Sequence, residues 1–395
     1  MALDFQQVRQ QIQALTEGAP ERQEKKRKLL EEASRLLNTY AMDLEYLRDK
    51  VQRAANLDRY FRSALPVSEA LNESFPLPAL PQQATIIAAD GSQINPDRHL
   101  GTEYCLVNVG AISMNLSQSS PPQTTIKTTL YYGDEVFSMQ EKIVALIRDT
   151  REREILADLA ERTAGLTITF TDGPVELWGR EVALEVEEVR EESSYFDRYM
   201  EALSKLYSRK TVTAGYVDTP RSDLLIRLLE LAPDNKKVED ARKNRWLRPI
   251  LDTEILSPVL KPGERSAVFG LISRTSHKYQ NEFSLHFFYL NVSLDENKPM
   301  LARIEIPAWV ARDPKMVDAL HAVLIQQCQI IPTRRYPYLL MRADETAVVS
   351  QDEKQQVDNM IAQEMYKRGL EIAVKSEKQQ SKEAARGKPK RKKGI

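Results

Sequence analysis

Cysteine and histidine are scarce in this chain. Its 395 residues include two cysteines, Cys105 and Cys328, and four histidines. Two cysteines, in segments that read as strand and helix, exclude a disulfide scaffold and fit a reducing cytoplasm. The shortage of both residue types argues against a zinc site. No apolar run reaches the roughly 18 residues that a membrane-spanning helix needs. The opening residues, MALDFQQVRQ, carry no signal-peptide pattern. A formal net charge of −1 leaves no global basic field to announce a nucleic-acid partner. The expectation is a soluble, cytoplasmic protein, with 42% hydrophobic residues to build one large domain or two.

Charge is uneven along the chain. Residues 376–395, SEKQQSKEAARGKPKRKKGI, hold eight Lys or Arg against two Glu, a local net charge of +6. This segment reads as a disordered tail. Either it tethers DNA through counterion release, or it is a solvated end without a role.

At the other end, residues 1–64 read as a helical arm. Leu30, Ala33, Leu37, Tyr40, Leu44, Leu47, Val51 and Ala54 follow a 3.5-residue period and share one seam. Phe5, Val8, Ile12 and Leu15 form a shorter run before the EGAP break at 17–20. Two readings are open: the helices pack on the protein's own core, or they pair with another subunit. A Pro-rich connector at 65–83 marks a boundary, and Pro76, Pro78 and Pro81 interrupt regular structure there. Residues 84–375 then form the main domain.

The order within 84–235 is β-β-β-α-β-α-β-α. Short turns make the first three strands a meander, and the helical crossovers make the later strands parallel. This is the layout of ribonuclease-H-like nucleases, an α/β class with a mixed five-stranded sheet and flanking helices. In that layout the first and fourth strands lie side by side. Here the first ends in Asp90 and the fourth in Asp172, and each acid is followed by Gly. Taken singly, each DG pair is a common turn dipeptide; together they place two carboxylates at one point. The intervening helix should add a third. At 100° per residue Glu154 falls within about 20° of Ile143 and Ile147, whereas Glu152 lies about 140° from Ile147. Glu154 is therefore the expected ligand, with a solvated helix-end Glu as its bland alternative. Clustered carboxylates suit Mg²⁺ or Mn²⁺, and a pair of such ions clamps the attacking and leaving oxygens of a phosphodiester.

Four blocks carry a resemblance: ADGSQINPDRH, FTDGPVELWG, AGYVDTPRSDLL and YPYLLMRADETAVV, spread over residues 84–350. Together they resemble the NurA nuclease family. The resemblance implies a ribonuclease-H-like core and Mn²⁺-dependent DNA cleavage. It also implies a homodimer, and work with HerA, a hexameric DNA-translocating ATPase, in DNA end resection and repair. By position it implies metal ligation by Asp90, Glu154 and Asp172, and a role for Tyr336 in placing the scissile phosphate or the water. Eight residues after Tyr336 the family has His; this chain has Asp344. Asp serves as an oxygen ligand but not as a neutral imidazole base. Arg98 and Arg180, near the two acid turns, are candidate phosphate contacts, and His99 is a candidate for ordering the loop after Asp90. The rival expectation is a catalytically weak or inactive dimeric adaptor that binds DNA or the ATPase.

Overall fold

A computed structural model describes residues 3–96, 103–117, 120–133, 136, 141–177, 186–331 and 333–369. Arg98, His99, Arg180 and the basic tail lie outside the described residues.

Three helices open the chain: α1 (Phe5–Glu17), α2 (Ala19–Thr39) and α3 (Leu44–Leu57). The 3.5-residue seam thus belongs to two helices, not one. The backbone turns between Tyr40 and Asp43, where neither Gly nor Pro signals a break. Ala33, Leu37, Leu47, Val51 and Ala54 are nonetheless buried in the same core as the sheet. The seam faces the protein's own body, while Phe5, Ile12 and Leu15 of α1 are exposed. The strands β1 (Ser63–Pro66) and β2 (Ser74–Phe75) follow. The connector thus carries strand pairing up to Pro76.

Next come β3 (Thr85–Ile94), β4 (Tyr104–Asn115), β5 (Gln123–Tyr132), α4 (Glu141–Ala160), β6 (Thr167–Asp172), α5 (Val186–Ser208), β7 (Val212–Val217) and α6 (Leu224–Leu231). Central β3 is apolar over its first half and buried there, as a strand covered on both faces must be. Edge β5, by contrast, is exposed and rich in Thr, with Lys127 pointing outward. In β6 the Thr face is buried too; the Thr169 hydroxyl pairs with that of Thr213 on β7 at 3.0 Å, so the polar atoms inside are satisfied.

The expected core order is present: β5-β4-β3-β6-β7, with β3–β6 and β6–β7 parallel. This is the ribonuclease-H-like arrangement. The sheet does not stop at five strands. After α7 (Asp252–Leu256) come β8 (Arg265–Ser266), β9 (Phe269–Ile272), β10 (Leu285–Asn291) and β11 (Leu301–Pro307). These extend the sheet beyond β7 in the order β11-β10-β9-β1, and all the added pairs are antiparallel. The short helix α8 (Ala308–Ala311), then α9 (Pro314–Gln329), α10 (Tyr338–Ala347) and α11 (Gln351–Lys367), complete the described chain. No helix among the described residues is long and apolar enough to cross a membrane.

Helices α4 and α10 cover opposite faces of the sheet. A Cβ on Gly110 of β4 would lie 2.8 Å from the Ala343 carbonyl oxygen and 2.9 Å from the Ala347 nitrogen, so α10 rests backbone to backbone on that strand. A Cβ on Gly91 of β3 would instead meet Arg148 Cγ at 2.6 Å and Glu152 Oε1 at 2.7 Å, both from α4. Asp90 pairs with Gly110 across the strands and therefore shares the α10 face; Gly91, the next residue, shows the α4 face.

Candidate active site

The parallel pairing of β3 with β6 ends at Ala89 and Thr171. Asp90 and Asp172 stand at the next step on each strand. Strand β3 runs on to Ile94, still paired with β4, so the residue after Asp90 is not a turn. Gly91 is required for close approach, because Arg148 and Glu152 occupy the space of a side chain. The residue after Asp172 does turn: Gly173 has φ of +87°, which L side chains rarely adopt.

Asp90 is half-buried and accepts the Gly91 N–H at 2.8 Å. Burial first, then the Asp172 and Asp344 carboxylates, push it up to about 6, against the opposing pull of that N–H and of Arg148. Asp172 touches solvent, yet the protein packed round it raises it as well. The Tyr336 hydroxyl donates to Asp172 and works in the other direction, while Asp218 and Asp344 add to the rise. Tyr336 is itself driven up, by burial and then by Asp172. Its ring stands edge-on to Tyr216 of β7, with centroids 5.5 Å apart. Strands β3 and β6, with α10 and the segment just before it, thus bring Asp90, Asp172, Asp344 and Tyr336 to one place.

Glu154 is not brought there. Its carboxylate is held by Arg198 of α5 at 2.7 and 2.9 Å and by Arg151 at 3.0 Å. Glu152 is the residue of α4 that reaches this place: its carboxylate lies against Gly91, and it lines one cavity with Asp90. It is buried, and lies 3.5 Å from the Arg148 guanidinium. Burial, then Asp149 and Asp90, hold it well above the usual carboxylate range. Apolar periodicity misplaces the acid because α4 is covered on two sides, by the sheet and by α5. Its apolar residues therefore do not single out the sheet-facing side. Asp218, just past the end of β7, and Asp149 were also missed. Asp218 sits within a block already singled out and obeys the same rule, an acid following a core strand.

A cavity of about 280 Å³ joins these elements, lined by Asp90, Arg148, Asp149, Glu152, Arg153 and Asp172 among others. Five carboxylates face it, those of Asp90, Asp149, Glu152, Asp172 and Glu176, beside the guanidiniums of Arg148 and Arg153; carboxylate oxygens are the donors that hard divalent cations select. Burial first, and the neighbouring carboxylates as well, raise Asp90, Glu152 and Asp172, a cost that a cation would relieve. Among the described residues no three Asp, Glu, His or Cys close into a ready-made coordination shell. Mg²⁺-type sites commonly use one or two carboxylates, with water and substrate phosphates supplying the rest. The residues therefore fit such an ion in donor chemistry.

No curated protein sequence matches the chain. Among solved structures, the NurA nuclease from Sulfolobus solfataricus superposes with a TM-score of 0.49 at 13% identity, over 87% of this chain and 98% of that one. Endonuclease V from Ciona intestinalis, in complex with inosine-containing DNA, gives 0.35 at 12% identity, over 79% and 98%. The catalytic domain of human endonuclease V gives 0.33 at 11%, over 80% and 98%. The family model of the NurA domain matches residues 84–349, more than half of the chain; the chain belongs to the NurA family.

Proposed function

We propose that this protein is a divalent-metal-dependent DNA nuclease that hydrolyses phosphodiester bonds. The observation that carries the reading is the meeting of Asp90, Asp172, Asp344 and Tyr336 beside one acid-lined cavity. Asp90 and Asp172 would hold one or two Mn²⁺ or Mg²⁺ ions, with Asp344 and Glu152 completing the acid set. A bound cation would supply charge stabilisation at the leaving oxygen and an acidified water. Glu154, tied to Arg198 and Arg151, would serve the α4–α5 contact instead. Tyr336 would orient Asp172 through its hydroxyl, and Arg148 would hold Asp149 and Glu152 in place. Homodimerisation, and work with a HerA-type ATPase in DNA end resection, are part of the same reading; family membership supports them.

The deciding experiment is cleavage of labelled single- and double-stranded DNA with Mn²⁺, Mg²⁺ or EDTA, comparing wild type with Asp90→Asn. Cation-dependent cutting that the variant lacks supports the nuclease. The rival is an inactive adaptor, motivated by Asp344 in the place of His and by the amino-terminal helices; the retained acids count against it. Absence of cutting with the ATPase present, alongside intact DNA binding, would select it.

A further inference from the structure

Tyr60 is 43% exposed, an unusual position for an aromatic ring next to three arginines. The guanidinium carbons of Arg59 and Arg274 lie 4.9 Å from its ring centroid, and that of Arg242 lies 5.1 Å away. They come from three separate chain segments. Arg59 also donates to the Tyr60 hydroxyl at 2.8 Å. Of the three, Arg242 meets a carboxylate, Asp58, at 3.3 Å; Arg59 and Arg274 have no carboxylate partner among the described residues. Like charges gathered round one exposed ring repel one another unless an anion completes the group. The field they make is strong enough to lower the Tyr60 phenol, through the Arg59 hydrogen bond and then the charges of Arg59, Arg274 and Arg242.

This patch adjoins the acid cavity. Glu176 lines that cavity. Its Oε2 is 3.0 Å from the Arg62 guanidinium, and its Oε1 accepts the hydroxyls of Ser273 and Thr275. Arg62 is two residues from Tyr60, a backbone span of about 7 Å at most. Arg274 lies between Ser273 and Thr275. The cavity wall and the Tyr60 patch are thus two sides of one short ridge.

We infer that the Tyr60 patch is a platform for single-stranded nucleic acid, on which an unpaired base stacks against the Tyr60 ring and the guanidinium planes that lie over it, while Arg59, Arg242 and Arg274 also meet backbone phosphates. Stacking on an exposed ring inside a basic groove is how sequence-neutral strand binding works. An unpaired base is needed, because a base inside a duplex has no free face to offer the ring. The inference rests on the nuclease reading for its substrate, and it adds the route by which a strand reaches the acids.

The test is binding of a short fluorescent oligothymidylate in EDTA, followed by anisotropy over a range of salt. Tyr60→Phe, which keeps the ring, should bind as wild type does. Tyr60→Ala should bind roughly tenfold more weakly. The combined Arg59→Gln, Arg242→Gln, Arg274→Gln variant should flatten the slope of log affinity against log salt by about 2, at about 0.7 per phosphate contact. Wild-type affinity and slope in both the Tyr60→Ala and the triple variant would overturn the platform. So would Tyr60-dependent binding of polyglutamate with oligothymidylate binding unchanged, which would assign the face to an acidic protein. The two readings separate cleanly. Tyr60-dependent binding by a protein that cuts nothing keeps the platform and removes the nuclease. Cation-dependent cutting by variants that bind as wild type does keeps the nuclease and removes the platform.

Discussion

Asp90 and Asp172 occupy neighbouring positions one step beyond the last paired residues, Ala89 and Thr171, of two parallel strands. Burial raises both carboxylates, and the charge of Asp172 adds to the rise at Asp90. Replacing one should therefore stabilise the fold while removing function. Asp90→Asn is expected to raise thermal stability by about 1–2 kcal/mol at neutral pH and to abolish cation-dependent cleavage. Mn²⁺ should raise the melting temperature of wild type and leave that of the variant unmoved. A variant that melts below wild type without metal would contradict a net cost of the buried, charged Asp90.

The two glutamates of α4 should separate by role. Glu152→Gln alters the carboxylate that lines the cavity with Asp90 and should lose most of its cleavage activity. Glu154→Gln breaks partly exposed ion pairs with Arg198 and Arg151 and should cost at most about 1 kcal/mol, with activity retained. Parallel cleavage assays and denaturant titrations check both. The opposite ranking would restore Glu154 to the site.

Gly91 and Gly110 make a second pair of contrasts. Gly91→Ala drives a methyl group against Arg148 and Glu152, and Gly110→Ala drives one against the backbone of α10. Each should lose about 1–3 kcal/mol, measured as a shift in denaturation midpoint. Gly91→Ala meets side chains that can move, so it should lose the less stability; Gly110→Ala meets main chain and should lose more.

Acid pH should act in opposite senses on activity and on stability. On the proposed reading a cation would bind ionised Asp90, so cleavage should fall as pH drops through about 6. Asp252 is buried beneath α6, where it accepts the Ile226 N–H at 3.0 Å and the Tyr289 hydroxyl at 2.6 Å; burial pushes it up to about 6 as well. A folded-state pKa above the unfolded one means that the native state holds the proton more tightly. The stability this gives is complete below about pH 4 and is lost as pH rises through 6, on the order of 2–3 kcal/mol. Asp252→Asn should remove its share of that slope. Equilibrium unfolding between pH 4 and 7 in EDTA measures it.

Much of this was legible in the sequence, and the reasons differ by element. The strands of the core are apolar or alternating runs, so their order and the positions of Asp90 and Asp172 could be read directly; the end of β3 could not, because its polar continuation to Ile94 is held by pairing with β4. Glu152 could not, because a helix covered on two sides carries apolar residues on both, and periodicity then misleads. The division of the amino-terminal seam into α2 and α3 was hidden, since a residue such as Asp43 breaks a helix without the usual Gly or Pro. The added strands β9 and β1 were invisible: four residues each, they take their conformation from the neighbours they pair with, not from their own pattern.

The docking of α10 on Gly110 also sets a schedule. Asp90 and Asp172 leave the ribosome early, whereas Tyr336 and Asp344 emerge when most of the chain has been made. Because α10 is seated on the central meander and not on a local partner, the full set of acids meets only after nearly the whole polypeptide has folded. A nascent or truncated chain is thereby left without Asp344 and Tyr336, so the site as described here exists only in the nearly complete chain.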